Sequence, residues 1–160
     1  MSALLVTIDT CVMREVDEGS DTERVLNGVA VLSRLRLQMQ DGLALLLLDS
    51  EGSIVSEYRR VLRAGSMGQR FFTSCVRNST VYYVSGVPSA SCRWALSKDG
   101  FDNDDYPFVG VCESVGGGIY VTSEEKHLTP RRRALLRDVA GTTVVPLPGL
   151  MDLLSYFAPE

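Results

Sequence analysis

The chain has 160 residues, of which 45% are hydrophobic and 22% are charged, and it carries a formal net charge of -4. This length is that of one average domain, and the composition argues against a disordered or fibrous chain, so we expect one domain over residues 1–160. The negative charge argues against a protein that coats nucleic acid by bulk positive charge, although it is compatible with a local basic patch.

Neither the apolar runs nor the N-terminus has the features of a membrane or exported protein. The longest aliphatic run, residues 43–48, is far shorter than the ~20 residues that cross a bilayer. The N-terminus lacks the basic region, long apolar stretch and cleavage site of a secretory signal. We therefore expect a cytoplasmic protein without membrane contact.

The four cysteines are spread along the chain without a CxxC pair, and one histidine, His127, is available to complete a zinc site. This pattern argues against zinc. Cys11 and Cys112 lie within apolar segments, so in a cytoplasmic chain we expect them to be buried thiols rather than members of disulfides.

The first third of the chain predicts two buried strands separated by a loop and a helix. Residues 3–9, ALLVTID, are apolar without strict alternation, as in a strand that is covered on both faces. We expect a polar loop over residues 14–21 and an amphipathic helix over residues 22–42, where apolar side chains recur at helical spacing. Residues 43–49, LALLLLD, supply the second strand.

The rest of the chain continues this alternation of helices and strands. The expected elements are a helix between Gly52 and Gly65, a helix near 70–77, a strand over 80–86, a loop over 88–102, a short helix from DNDDYPFVGVC, a strand ending at Thr122, a basic helix over 130–140, a strand over 142–147 and a C-terminal helix through Phe157. Strands that alternate with helices predict an α/β protein with three layers, α/β/α, around a central, mainly parallel sheet.

Acidic residues come after several of these strands. In an open parallel sheet the carboxyl ends of the strands share one edge, and ligands bind in the crevice there. Asp9 directly follows the first strand, Glu57 lies on the helix after the second, and Glu124 comes two residues after the strand that ends at Thr122. At about 100° per residue, Glu57 falls at the border of the apolar stripe of its helix and points partly inward.

A fourth acid comes from the segment DNDDYPFVGVC, where two aspartates precede a helix. Asp105 projects close to the line of Cys112 on the buried face, whereas Asp104 projects farther round, so Asp105 is the better candidate. Pro107 leaves open which residue begins the helix. Four carboxylates in one crevice repel one another unless a cation neutralises them, and oxygen ligands favour Mg²⁺ or Mn²⁺.

Four segments resemble, in order, the motifs of the PIN domain family of metal-dependent ribonucleases over about residues 3–157. LLVTIDTCVM resembles the opening strand that ends in aspartate and threonine, and DSEGSIVSEYRRVL resembles the second acidic motif, with Glu57 in the glutamate position. DDYPFVGVC resembles the third motif through Asp105. IYVTSEEKHL resembles the strand, threonine and fourth acid, with Glu124 in place of the more usual aspartate.

The resemblance implies a PIN-like fold and a divalent-metal-dependent endoribonuclease that hydrolyses RNA phosphodiester bonds with Mg²⁺ or Mn²⁺ as cofactor. The catalytic and metal-binding residues that it implies are Asp9, Glu57, Asp105 and Glu124, with Thr10, Thr122 and Asp104 in support. Small nucleases of this family often act as toxins, so the resemblance also implies an antitoxin or another protein partner, and it allows a homo-oligomer.

Other assignments of the acids stay open at this point. Asp49 and Glu51 lie near the same edge as Glu57, and Glu125 is an alternative to Glu124. Taken alone, Asp9 is also compatible with an ordinary turn.

The basic residues near Glu124 allow two interpretations. The run of Lys126, Arg131, Arg132 and Arg133 is either a solvated helix face or a contact for the RNA backbone. A competing patch consists of Arg59, Arg60 and Arg63. We expect His127 to be structural or exposed rather than catalytic, because it has no triad partners in the sequence.

Two other enzyme classes fit the sequence poorly. A phosphatase of the haloacid dehalogenase type needs a second aspartate two positions after the first, where this chain has Cys11, and a dinucleotide-binding domain needs GxGxxG after its first strand. The alternative that stays open is a catalytically weak or inactive PIN-like module that binds RNA or a protein partner. It is kept open by Cys11, where the family commonly has asparagine, and by Glu124.

Overall fold

A computed structural model describes residues 2–18 and 21–156. Its centre is a sheet of five parallel strands in the order β3-β2-β1-β4-β5. The strands are β1 (Leu4–Ile8), β2 (Ala44–Asp49), β3 (Val81–Val84), β4 (Ile119–Val121) and β5 (Thr143–Val145).

Helices cover both faces of this sheet. They are α1 (Thr10–Glu18), α2 (Thr22–Gln40), α3 (Ser53–Val61), α4 (Met67–Arg77), α5 (Ala90–Lys98), α6 (Tyr106–Val115), α7 (Glu125–Leu128), α8 (Pro130–Ala140) and α9 (Leu147–Tyr156). One layer contains α1, α2, α4 and α9, and the other contains α5, α6 and α8. The predicted three-layer α/β/α fold with a parallel sheet is therefore confirmed.

Two predicted loops were wrong, because each contains a helix. Helix α1 covers most of the segment expected to be a loop over residues 14–21, of which 19 and 20 lie outside the described residues. Its apolar residues Val12, Met13 and Val16 are buried at helical spacing, and the charged residues between them form the outer face of the same helix. Helix α5 interrupts the loop expected over 88–102. Ser89 caps its N-terminus, because the Ser89 hydroxyl accepts a hydrogen bond from the Cys92 amide (3.2 Å).

The remaining predicted elements agree with the structure to within a few residues. Helix α7 is an addition that follows the fourth strand, and the predicted end of the last helix at Phe157 lies outside the described residues. In the two ranges that the structure describes, no helix is both long and apolar enough to cross a bilayer.

The strand order places a crevice at the carboxyl ends of β1 and β4. The chain moves from β1 towards β2 and β3 on one side, and it later returns to add β4 and β5 on the other side. Such a reversal leaves a gap between the connections that leave the two central strands, and ligands of open α/β sheets bind there. The amide of Asp9 donates to the carbonyl of Val121 (2.8 Å), so β1 and β4 stay paired up to this gap.

Helix α6 packs backbone against backbone on the loop after β3. A Cβ atom added at Gly110 would lie 2.1 Å from the carbonyl oxygen of Gly86, a distance that no side chain tolerates. This close approach holds the helix that follows Asp105 against the sheet.

We expect Gly110→Ala to destabilise the protein by about 1–3 kcal/mol, because an overpacked contact with rigid backbone forces α6 away from the loop. Chemical denaturation measures this change in the free energy of unfolding. Gly117→Ala is the matched control, since nothing lies within 4 Å of a Cβ built there. Equal stability of the two variants would contradict the packing described for α6.

Candidate metal centre

Asp9 lies at the crevice between β1 and β4, and the residue is 5% exposed. Oδ2 accepts hydrogen bonds from the hydroxyls of Tyr120 (2.7 Å) and Thr122 (2.9 Å), and Oδ1 accepts a longer one from the Cys11 amide (3.4 Å). Tyr120 belongs to β4 and Thr122 follows it, so parallel pairing of β4 with β1 brings both donors to Asp9. Burial, followed by the charge of Asp9, raises the pKa of Tyr120 well above its ordinary value, and the phenol therefore remains a donor.

Glu57 reaches the same region from α3. The Thr10 hydroxyl, at the start of α1, donates to its Oε1 (2.7 Å). The next residue, Tyr58, is fully buried and donates its hydroxyl to the carbonyl of Ile8, which fastens α3 to the end of β1. The prediction that Glu57 points partly inward is confirmed, because its side chain is half-buried.

Several neighbours change the pKa of Glu57. Burial raises it, the hydrogen bond from Thr10 lowers it, and the carboxylates of Asp9 and Asp104 raise it further. The net change is upward. The charge effects mean that Asp9 and Asp104 both lie within electrostatic reach of Glu57.

The two alternatives to Glu57 are occupied elsewhere. Asp49 accepts hydrogen bonds from the amides of Ser53 (2.7 Å) and Ile54 (2.8 Å) and so satisfies the first turn of α3. Glu51 accepts hydrogen bonds from Ser85 and Gly86, both at 2.9 Å, and fixes the loop after β3. Both acids therefore have contacts that account for them in the fold.

Asp105 lies in a short 3₁₀ turn before α6 and is 7% exposed. Its Oδ2 lies 3.1 Å from Nε2 of His127, whose side chain is fully buried. Asp104 is exposed, as expected for the residue that projects farther round the helix. We expected His127 to be either structural or exposed. It is buried, and it contacts Asp105, an acid of the candidate site.

Glu124 lies at the end of the segment that follows β4, and its amide donates to the Thr122 hydroxyl (3.1 Å). Its Oε2 lies 3.0 Å from Nζ of Lys126 and 3.7 Å from Nε2 of His127. The Lys126 ammonium also contacts Asp102 (2.7 Å) and lies 4.0 Å from Asp105. Hydrogen bonds to Asp102 and Glu124 raise the pKa of Lys126 above its ordinary value, so it is charged. By contrast, Glu125 is exposed.

The other basic residues of the predicted patch differ in their exposure. Arg131 and Arg132 both form ion pairs with Asp99, but the Arg131 side chain is 83% exposed and that of Arg132 only 14%. Arg133, Arg59 and Arg60 are exposed. Arg60 also lies near enough to Glu57 to lower its pKa, so the competing patch adjoins the acids.

Among residues 2–18 and 21–156, two groups of three side chains have ligand atoms within 4.8 Å of one another. One group contains Asp9, Cys11 and Glu124, and the other contains Asp105, Glu124 and His127. Glu124 is common to both groups. Burial and the charge of Asp9 raise the pKa of the Cys11 thiol to about 11, so it is neutral, and carboxylate oxygens are the principal donors of the first group.

Sequence reasoning missed the contacts of Tyr120, Lys126 and His127 with the acids. Lys126 and His127 follow Glu124 within three residues, and a helical turn there, α7, places them beside it. That proximity was the available signal. The approach of Asp105 to this region was expected, but its contact with His127 was not. All four cysteines are free, and Cys112 is buried as expected, whereas Cys11 is half-buried.

Comparisons with known proteins give one similar solved structure to report. No protein-family model matches the chain, and no curated protein matches it. A crystal structure of VapBC2 from Rickettsia felis bound to a DNA fragment from its promoter contains a chain with 11% sequence identity and a TM-score of 0.47. The similarity covers 89% of this chain and 98% of that chain.

The raised pKa of Glu57 gives a test of the electrostatics of this site. A raised pKa means that folding favours the neutral form of Glu57. The neutral carboxyl therefore adds to the stability of the protein below the ordinary pKa of glutamate, and this addition is lost as the pH rises through the pKa of Glu57 in the folded protein. In protein freed of metal by EDTA, we expect Glu57→Gln to raise Tm at pH 7 and to have no such effect near pH 4. Thermal unfolding followed by circular dichroism measures both.

Glu51→Gln is the control with the opposite sign. Hydrogen bonds, first from the Gly86 amide, lower the pKa of Glu51, so folding favours its charged form. This variant should not gain stability at pH 7. A gain in Glu51→Gln but not in Glu57→Gln would show that the described charge environment is wrong.

Proposed function

We propose that this chain is a divalent-metal-dependent endoribonuclease with a single PIN-like domain. The observation that carries the proposal is the state of Asp9, a buried carboxylate at the crevice of a parallel sheet. Within the described ranges, no lysine, arginine or histidine nitrogen lies within 4.0 Å of it. Burying a charge without a partner is costly, and a bound cation would offset that cost.

The donor set fits Mg²⁺ or Mn²⁺. These ions prefer carboxylate and water oxygens, and they are usually held by one or two protein carboxylates together with substrate phosphates. Asp9 and Glu124 have ligand atoms within 4.8 Å of each other, and Glu57 lies beside Asp9 through Thr10. We assign Asp9, Glu57, Asp105 and Glu124 as the metal-binding and catalytic acids, with Thr10, Thr122 and Asp104 in support.

The chain's own residues would prepare the site for hydrolysis. Tyr120 and Thr122 fix Oδ2 of Asp9, which leaves Oδ1 with only the long contact from the Cys11 amide. Thr10 similarly fixes Oε1 of Glu57 and leaves Oε2 as an acceptor for the proton of an attacking water. A base with a raised pKa is better suited to that transfer near neutral pH. When bound, a divalent ion would lower the pKa of water and stabilise charge on the phosphate.

The substrate would approach over the basic side chains around the acids. We propose that Arg59, Arg60 and Arg133 contact the RNA backbone, since all three are exposed. Lys126, Arg131 and Arg132 are already engaged with aspartates. A cytoplasmic location is part of the proposal, as expected from the sequence. The toxin role, and the antitoxin or second copy as partner, are parts of the proposal that rest on the four motifs alone.

The first test is cleavage of single-stranded RNA in Mn²⁺ or Mg²⁺. We expect Asp9→Asn to lower the rate by at least about 100-fold, because it removes the charge that binds the ion while keeping the hydrogen-bonding shape. The same variant should lose the rise in Tm that the divalent ion produces in the wild-type protein.

Glu125→Gln is the matched control, since Glu125 adjoins Glu124 but is exposed. It should retain both cleavage and the metal-induced rise in Tm. An Asp9→Asn protein that cuts RNA at the wild-type rate would refute the assigned site.

A second candidate function is favoured by Lys126. Its ammonium contacts Glu124 and approaches Asp105, so it already neutralises one side of the acidic group. This arrangement favours the alternative of a catalytically weak or inactive PIN-like module that binds RNA or a protein partner.

Lys126→Met tests whether the Lys126 ammonium weakens metal binding, as the second candidate function requires. If the ammonium opposes a divalent ion, the variant should bind Mn²⁺ at least about fivefold more tightly, because even two unit charges ~4 Å apart in water interact by ~1 kcal/mol. Titration calorimetry measures the affinity. Lys126→Arg keeps the charge and should resemble the wild type. Unchanged affinity in Lys126→Met would remove Lys126 as the reason for weak activity.

A further inference from the structure

Arg132 is held on three sides by groups of the protein. Its Nε donates to Oδ2 of Asp99 (2.9 Å), and its Nη2 donates to the Asp99 carbonyl (2.8 Å). The guanidinium also lies over the ring of Phe101, 4.2 Å from its centroid. Two bonds to one residue and a stacked ring fix the plane of the guanidinium.

The remaining contact of this guanidinium is with the only histidine of the chain. Nη1 of Arg132 lies 3.2 Å from Nδ1 of His127, and Nε2 of His127 lies 3.1 Å from Oδ2 of Asp105. The imidazole is fully buried and stacks on Phe101 with ring centroids 5.0 Å apart. The ring therefore has one nitrogen facing a donor and the other facing a carboxylate.

These two contacts fix where the imidazole proton lies. A guanidinium has only N–H donors, so Nδ1 of His127 must accept the hydrogen bond through its lone pair. The proton then belongs to Nε2, which donates it to Asp105. The direction of every hydrogen bond from Asp99 to Asp105 follows from the chemistry of arginine.

We propose that Asp99, Arg132 and His127 form a positioning chain that orients Asp105 for the metal centre. The inference rests on the proposed function, because it takes Asp105 to be one of the acids that bind the ion. The hydrogen bond from His127 and the nearest contact from Lys126 both reach Oδ2 of Asp105. The positioning chain thus holds the Asp105 carboxylate through Oδ2, and Oδ1 is the oxygen that we propose binds the ion.

The same geometry argues against His127 as a metal ligand. Asp105, Glu124 and His127 have ligand atoms within 4.8 Å, which at first suggests a second ion. Binding an ion through Nε2 would require the proton to move to Nδ1, where an N–H of Arg132 already points. His127 and Arg132 are therefore positioning residues, and Arg132 is withdrawn from the RNA contact.

Nitrogen NMR of the full chain in EDTA tests the hydrogen-bond direction without any metal. Because the chain has one histidine, its imidazole gives a single pair of ring nitrogen signals. We expect Nε2 to show the shift of a protonated nitrogen and Nδ1 that of an unprotonated one. A proton on Nδ1 in the neutral ring would overturn the proposal.

Arg132→Met should abolish this fixed tautomer, and Arg132→Lys, which keeps one donor, should restore it in part. Arg131→Met is the matched control, because Arg131 also pairs with Asp99 but is exposed and does not contact His127. It should leave the ring signals unchanged. If the same single tautomer persists in Arg132→Met, the positioning chain is contradicted. If that variant fails to fold, the wild-type spectrum alone decides whether the proton lies on Nε2.

Mn²⁺ affinity tests the effect on Asp105. We expect His127→Leu to weaken binding by about 10- to 100-fold, as is common for partners of metal ligands. His127→Gln offers an amide N–H in place of Nε2–H and should recover most of the affinity. If His127→Leu binds Mn²⁺ as tightly as the wild type and Asp9→Asn does not bind it, the proposed function is supported and the positioning role of His127 is refuted. If the wild type binds no Mn²⁺ but the His127 proton lies on Nε2, the hydrogen bond from His127 to Asp105 is supported and the metal-dependent function is refuted.

Discussion

The candidate site depends on the hydrogen bonds that β4 and the residue after it donate to the carboxylate at the end of β1. Tyr120 and Thr122 hold one oxygen of Asp9 and remove it from water. Both donors are neutral, so they orient the charge without cancelling it. A carboxylate oriented in this way keeps a strong attraction for cations, and it lies at a reversal of strand order, where open α/β sheets bind their ligands.

The two ends of the acidic group are compensated in different ways. Around Asp9 the fold supplies neutral hydroxyl donors, and the other charged group nearby is the half-buried carboxylate of Glu57. Around Asp105 and Glu124 it supplies the ammonium of Lys126 and the imidazole of His127. An ion placed near Asp9 would therefore gain more from its surroundings than an ion placed between the other two acids. This asymmetry favours a single strong ion position over two equal ones.

Much of this arrangement could be predicted from periodicity and from one rule of sheet topology. The apolar run before Asp9 predicted that this acid follows β1, and the helical spacing predicted a partly inward side chain for Glu57, whereas the choice of Glu57 over Asp49 and Glu51 came from the family resemblance. Helix α5 was missed because small residues interrupt its apolar stripe, and α1 was missed because the charged residues of its outer face resemble a polar loop in the sequence. The contact of Arg132 with His127 could not be predicted, because it depends on Asp99 arriving from a distant segment to fix the guanidinium.

The two departures from the PIN pattern act on different parts of the site. Cys11 keeps a neutral thiol that lies 3.1 Å from the Ser123 hydroxyl, so it adds no charge to the crevice. Glu124 carries one methylene more than aspartate, and its carboxylate contacts Lys126 while remaining near Asp9. A shorter side chain on the same backbone would not reach as far towards that ammonium. Of the two departures, Glu124 is therefore the one that would govern how strongly the proposed ion is held, through the lysine it contacts.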